Sequence, residues 1–243
     1  MTHRFFLPAE SFLPEGVCFP AETSRQISRV LRLKVGDEVL ALDNAGQVFQ
    51  TRLVHVSERE VRAEVLSAAP AGGEPAVDLH LLLCLTQREK FEWMLQKCTE
   101  LGVTRFTPVV SSRSLIQQPG EAERKYDRWQ TILKEAAEQC GRGRVPQLLP
   151  TLRWQAALQT GGGADLRLAA WEGEKTRRLK ECLAEKPARV QLLIGPEGGF
   201  AAEEIQQAEK AGFIPVSLGP RILRMETAAV AAAAWVLYEL GEI

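Results

Sequence analysis

The sequence predicts an α/β fold: a mostly parallel sheet in the carboxy-terminal part of the chain, preceded by a small β-barrel. Three observations carry this. Short segments of alternating apolar and polar residues run up to Ser67, a proline- and glycine-rich connection follows at 70–75, and beyond it buried apolar runs alternate with helical patterns. Strands alternating with helices imply a parallel sheet covered on both faces.

In the first part, residues 3–7, 38–43, 48–56 and 60–66 have the alternation of half-buried strands, and Asn44-Ala45-Gly46 supplies a turn between two of them. A compact set of short strands suggests a closed barrel, interrupted by one helix at 23–33. Pro70-Ala71-Gly72-Gly73-Glu74-Pro75 has the composition of an exposed connection. The expected domains are therefore 1–70 and 76–243. In the second, strands are expected at 77–85, 103–110, 166–171, 190–194 and 214–218, and helices at 89–101, 121–139, 176–185, 202–211 and 226–240. The last of these is rich in alanine and carries Trp235, the pattern of a helix that buries every face and approaches a neighbour closely.

The chain has 243 residues, 45% of them hydrophobic, enough to bury a core. Its formal charge of -1 and pI near 6.4 argue against a broad cationic coat for nucleic acid, so any RNA contact must be a local patch. The five cysteines are widely spaced without a C-x-x-C pair and read as reduced core residues. His3, His55 and His80 lack the spacing of a zinc site, so no metal is expected. No long apolar stretch follows a basic amino terminus, which points to a cytoplasmic protein. The longest apolar run, 228–237, is too short to span a bilayer.

Two segments stand out. Leu193-Ile194-Gly195-Pro196-Glu197-Gly198-Gly199-Phe200 and Leu218-Gly219-Pro220-Arg221-Ile222-Leu223-Arg224-Met225-Glu226-Thr227-Ala228 each follow a buried strand and precede a helix. Open α/β sheets bind ligands at that position. Glycine and proline there hold the backbone open, so a flat polar ligand can dock on main-chain groups. Neither loop is a dinucleotide fingerprint or a Walker A loop, because the G-x-G-x-x-G spacing and the Gly-Lys-Ser/Thr continuation are missing.

These two loops, together with Gln96-Lys97-Cys98-Thr99-Glu100-Leu101-Gly102-Val103, Glu138-Gln139-Cys140-Gly141-Arg142, His3-Arg4-Phe5-Phe6 and Val30-Leu31-Arg32-Leu33-Lys34-Val35-Gly36-Asp37, closely resemble the RsmE family of 16S ribosomal RNA N3-uridine methyltransferases in the SPOUT superfamily. The resemblance covers essentially the whole chain. It implies a PUA-like amino-terminal barrel for RNA and a SPOUT domain that binds S-adenosylmethionine within a deep trefoil knot. It also implies a homodimer acting on 16S ribosomal RNA or the small ribosomal subunit, at a uridine near the decoding centre. Two departures are visible. Ala201 replaces the hydroxyl residue expected to cap the following helix, with Glu203 and Glu204 left to oppose its dipole. Thr23-Ser24-Arg25 stands where family members often carry histidine.

On the family pattern, Ile194, Gly195, Gly199, Leu218, Gly219, Ile222, Leu223, Arg224 and Thr227 are assigned to the cofactor. A uridine N3 must lose its imide proton before its lone pair can attack, so a carboxylate base and an arginine are the natural tools. Glu197 and Glu226 are the candidate bases and Arg224 the candidate cation, beside Arg221. The alternatives are a glutamate bonded to backbone amides and an intramolecular ion pair. Arg25, Arg29 and Arg32 fall at helical spacing on one expected face for RNA phosphates, and Arg4, Arg142 and Arg144 extend the track. Two other functions stay open: an RNA-binding assembly factor whose knotted domain does not turn over, and methylation of another RNA, for example transfer RNA at ribose.

Overall fold

The computed structural model describes residues 2–160 and 162–243. The chain divides into two compact units, Met1–Glu74 with Ala137–Val145, and Pro75–Ala136 with Pro146–Ile243. The sequence reading placed 137–145 with the carboxy-terminal domain. The structure groups this stretch with the first unit, where Ala137 packs on Phe6 and Leu42 and Glu138 accepts the Phe6 amide at 2.8 Å.

The first unit is a curled six-stranded sheet in the order β1 (Arg4–Phe6), β4 (Glu38–Leu42), β5 (Gln47–Val56), β6 (Val61–Pro70), β3 (Gly16–Phe19), β2 (Phe12–Leu13). Every pairing is antiparallel except that of β1 with β4. Two register shifts in the β5–β6 pair let these long strands bend around the core. That core is formed by Phe5, Val17, Phe19, Ile27, Val39, Leu53 and Val61 with their neighbours. The short β2 and β3 escaped the sequence reading, being too brief for a periodic signal. The expected helix at 23–33 is α1 (Ala21–Arg25) followed by one wide π-turn, Gln26–Val30, and it ends before Arg32, whose φ is 55°.

The second unit is an all-parallel sheet in the order β10 (Leu152–Arg153), β8 (Arg105–Val110), β7 (Asp78–Cys84), β12 (Arg189–Ile194), β11 (Leu166–Ala170), β13 (Ile214–Val216), with β9 (Gln147–Leu148) beside β8. β7, β8 and β12 are buried at every position after the first because both faces are covered, and their sequences are mainly apolar, interrupted by His80, Thr107 and Gln191. The helices are α2 (Arg88–Leu101), α3 (Pro119–Glu123), α4 (Tyr126–Cys140, whose last turn lies in the first unit), α5 (Trp154–Gln159), α6 (Leu179–Cys182), α7 (Ala202–Lys210) and α8 (Met225–Leu240).

Three helices differ from expectation. The predicted 121–139 helix is broken between α3 and α4. The predicted 176–185 helix shrinks to α6, because Glu174 draws the amides of Thr176 and Arg177 onto its carboxylate and Arg178 bridges to Ser217 as extended chain. Helix α8 buries Ala229, Ala232, Ala233, Val236 and Leu237 but leaves Trp235 and Tyr238 exposed, so not every face is covered within the chain.

The start of α7 is tied down by a residue of its own first turn. Glu204 Oε2 accepts the Ala201 amide at 3.0 Å and its Oε1 accepts the Ser112 amide at 2.8 Å, so the third helical residue makes the returning half of a capping box, while the bond a hydroxyl at 201 would make to the first-turn amides is absent among the described residues.

Candidate active site

Three neighbouring strands, β12, β11 and β13, end on the same side of the sheet, and the segments that follow them enclose a cavity of about 590 Å³. The loop after β12 contributes Ile194 to Phe200, the loop after β13 Ser217 to Glu226, and the segment after β11 Trp171, Glu172 and Lys175. The volume suits a ligand of cofactor size. Two glycines make the wall approachable. Gly199 has φ +68°, and a Cβ there would lie 2.3 Å from Glu172 Oε1; a Cβ on Gly195 would lie 3.0 Å from the Phe200 ring. At Gly219, φ is +110° and a Cβ would meet nothing within 4 Å, while its amide donates to Ser217 Oγ at 3.3 Å. Gly195 and Gly199 are thus positions where a side chain would collide with the neighbouring wall.

Of the residues assigned from sequence, Ile194, Gly195, Gly199, Leu218, Gly219, Ile222, Leu223, Arg224, Glu197 and Glu226 all line this cavity. Thr227 does not. It lies one residue further into α8, exposed, where the helical turn carries it off the wall. Lys90 also lines the wall, and Trp171, Glu172 and Lys175 do so without having been singled out from sequence. The available signal was Trp171-Glu172-Gly173 at the end of a buried strand: the Trp171 ring lies so close over Gly173 that a Cβ there would meet it at 2.2 Å.

The two candidate bases differ in surroundings. Glu197 Oε1 accepts the Thr86 hydroxyl at 2.6 Å and the Lys90 ammonium at 3.0 Å. Those two bonds, with the charge of Arg224 nearby, hold its carboxyl below the usual carboxylate range. Glu226 stands in the first turn of α8, and its Oε2 is buried without a hydrogen-bond partner among the described residues. An acceptor in that condition lacks the bond that would offset its burial. Arg113 Nη1 also donates to the Gly198 carbonyl at 2.8 Å.

The arginines assigned to RNA lie in the first unit and do not form a single track. Arg142 is only 3% exposed, and its Nε and Nη2 bind Glu74 at 3.1 and 2.7 Å, while Glu74 also takes the amides of Gly143 and Arg144. A guanidinium so committed does not reach a phosphate. Arg144 Nη2 donates to the Ala45 carbonyl, and Arg29 pairs with Glu58 at 2.5 Å. Arg4 lies under the Gly141 turn, where a Cβ would come 3.3 Å from its Nη1. Arg25 and Arg32 are exposed, but the π-turn and the left-handed Arg32 break the helical spacing that put Arg25, Arg29 and Arg32 on one face. The exposed face is local, not a stripe.

Among the described residues no group of three or more His, Cys, Asp or Glu is placed to hold a metal ion, and the five cysteines are unpaired with one another. Among the described residues no helix is long and apolar enough to cross a membrane.

A family model described as an RNA methyltransferase domain matches residues 73–237, and one described as an RNA methyltransferase PUA domain matches residues 27–66. The ribosomal RNA small subunit methyltransferase E of Synechocystis is 33% identical over 237 residues, 96% of this chain and 77% of that protein. The Bacillus subtilis protein of the same name is 31% identical over 225 residues, 90% of this chain and 88% of its own. The crystal structure of a ribosomal RNA small subunit methyltransferase E from Neisseria gonorrhoeae, bound to S-adenosyl methionine, superposes with a TM-score of 0.85 at 31% identity, covering 98% of each chain. A putative methyltransferase from Legionella pneumophila, in complex with the same cofactor, superposes with a TM-score of 0.85 at 28% identity and 98% coverage of each chain. With a family model over residues 73–237 and relatives 33% and 31% identical along nearly the full length, the chain belongs to the ribosomal RNA small subunit methyltransferase E family of RNA methyltransferases.

Proposed function

We propose that this chain transfers a methyl group from S-adenosylmethionine to N3 of a uridine in 16S ribosomal RNA of the small subunit. The observation that carries this reading is the single cavity lined by both glycine–proline loops, with a buried carboxylate oxygen of Glu226 that has no hydrogen-bond partner among the described residues.

S-adenosylmethionine supplies, when bound, a sulfonium methyl that is already activated for transfer. The residues of the chain must therefore align the acceptor, exclude water and deal with the imide proton. Gly195, Gly199 and Gly219 present backbone, while Leu218, Ile222 and Leu223 supply apolar wall. Glu226, rather than Glu197, takes the N3 proton, because Glu197 is already bonded to Thr86 and Lys90, which hold its carboxyl below the usual carboxylate range. Glu197 instead fastens its loop to the strand–helix junction of β7 and α2. Arg224, on the same wall, faces the negative charge that spreads to the uracil carbonyl oxygens when the proton leaves.

The exposed Trp235 and Tyr238 on the small-residue helix α8 support a homodimer formed through that face. The position of β12 between β7 and β11, with α8 returning from the outer strand β13 to pack on α2 and β12, supports reading the carboxy-terminal segment as knotted. The first unit, matched by the PUA description, serves as the RNA-binding module, and the cytoplasm is the compartment where such a substrate is met.

A transfer assay with tritiated methyl donor on purified small subunits, on deproteinised 16S RNA and on transfer RNA tests the assignment. Label is expected in N3-methyluridine from the ribosomal substrates. Label recovered only as a 2'-O-methyl nucleoside, or no cofactor binding at all, refutes it.

A further inference from the structure

The turn after β8 is fixed at both ends. Ser111 and Ser114 are buried, their hydroxyl oxygens lie 2.9 Å apart, and the Ser111 amide donates to Ser114 Oγ at 3.0 Å. The Ser112 amide is held by Glu204 at 2.8 Å. Arg113 projects from this rigid turn. Its Nη1 holds the Gly198 carbonyl at 2.8 Å, and its stem lies over Gly198, where a Cβ would come 3.4 Å from Arg113 Cδ. Gly198 is part of the cavity wall. The rest of the side chain is exposed. A guanidinium carries five N–H donors, and the Gly198 carbonyl is the one partner seen for them among the described residues. Arg29, Arg88, Arg142 and Arg189 are each paired with a carboxylate; Arg113 is not.

A cation held rigidly against the cofactor loop, with its outer edge unpaired, fits a phosphodiester. The fork matches two phosphate oxygens, and the fixed turn reduces the entropy lost in making the contact. We infer that Arg113 grips an RNA phosphate near the target uridine while one N–H keeps hold of Gly198, so that a single side chain couples RNA binding to cofactor binding. This rests on the methyltransferase reading above. It makes Arg113 a positioning residue that works through the Gly198 loop.

The test is calorimetric titration of S-adenosylmethionine with and without a saturating short oligouridylate, alongside the salt dependence of oligouridylate binding. Wild-type protein is expected to bind the cofactor about fivefold more tightly when RNA is present. Arg113→Ala is expected to abolish that enhancement and lower the salt slope by about one, with an unchanged melting temperature. Arg113→Lys keeps the charge without the fork, and is expected to retain the slope and lose the enhancement. Wild-type cofactor affinity that ignores RNA, enhancement that survives in Arg113→Ala, or a uniform loss of cofactor affinity with an unchanged salt slope each overturns the inference. Wild-type protein that binds no cofactor refutes the underlying function instead.

Discussion

The Lys90 ammonium, in the first turn of α2, stands 3.0 Å from Glu197 Oε1 in the loop that follows β12. Together with the Thr86 hydroxyl it turns a glutamate in a glycine-rich segment into a fastening between two strand–helix junctions. A partly exposed ion pair of this kind contributes up to about 1 kcal/mol. Lys90→Met is therefore expected to weaken cofactor binding by up to about fivefold, because the loop loses order in the free protein. Glu197→Gln, which can still accept from Thr86, should cost less. Calorimetry on both variants checks the order; equal affinities for wild type and Lys90→Met would show that the pair does not organise the loop.

Glu226 is expected to behave differently from Glu197. Replacing it with glutamine removes the proton acceptor without changing shape, so turnover should fall on the order of 10²–10⁴-fold, the range for loss of a general base. Cofactor affinity should stay within about twofold, since the wall is otherwise intact. Single-turnover rates and cofactor titrations on Glu226→Gln and Glu197→Gln separate the roles. Normal turnover in Glu226→Gln would remove it from the chemistry.

His80 is buried in the sheet, with Nε2 2.8 Å from Thr107 Oγ1, and burial lowers its imidazole from 6.5 to about 4, with the Arg105 guanidinium acting in the same direction. Between those values the unfolded chain binds a proton that the folded chain refuses. Stability is therefore retained above pH 6.5 and lost as pH falls toward 4. The expected difference from this residue between pH 7 and pH 5 is about 2 kcal/mol. Urea unfolding at the two pH values should show a smaller difference in His80→Gln than in wild type; identical slopes would contradict the burial argument.

Arg167 joins two helix ends. Nη2 donates to the Leu158 and Thr160 carbonyls at 2.8 Å each, Nη1 to the Ala211 carbonyl and Nε to Gln191 Oε1, with the guanidinium 4.0 Å from the centre of the Phe213 ring. It neutralises the carboxyl ends of α5 and α7 in place of a basic residue in α5 itself. Arg167→Met leaves these acceptors unsatisfied and should cost about 2 kcal/mol, lowering the melting temperature by about 4–8 °C. Arg167→Lys should recover only part, because one ammonium cannot span four acceptors. A melting temperature unchanged in Arg167→Met would refute this account.

The parallel sheet was legible in the sequence because strands buried on both faces are dominated by apolar runs, such as Leu81-Leu82-Leu83 or Leu192-Leu193-Ile194. The two ligand loops were legible because glycine and proline mark backbone that leaves regular pairing. Elements without such a period, such as β2, β3 and α5, were not visible, and neither was the shortening of the 176–185 helix, which depends on Glu174 capturing two amides. The family resemblance, carried by contiguous blocks, was likewise a property of the sequence alone.

Which charges remain free was decided by tertiary structure. Arg142 and Arg113 look alike along the chain, yet Glu74 encloses the first and a serine turn lifts the second to the surface. Glu197 and Glu226 are likewise two glutamates beside glycine-containing loops, separated only by Lys90 and Thr86 arriving from more than a hundred residues away. Local pattern fixes where a side chain sits on its own strand or helix. Its protonation, its partners and its availability to a ligand depend on groups distant in sequence, because electrostatic and hydrogen-bond energies follow distance in space.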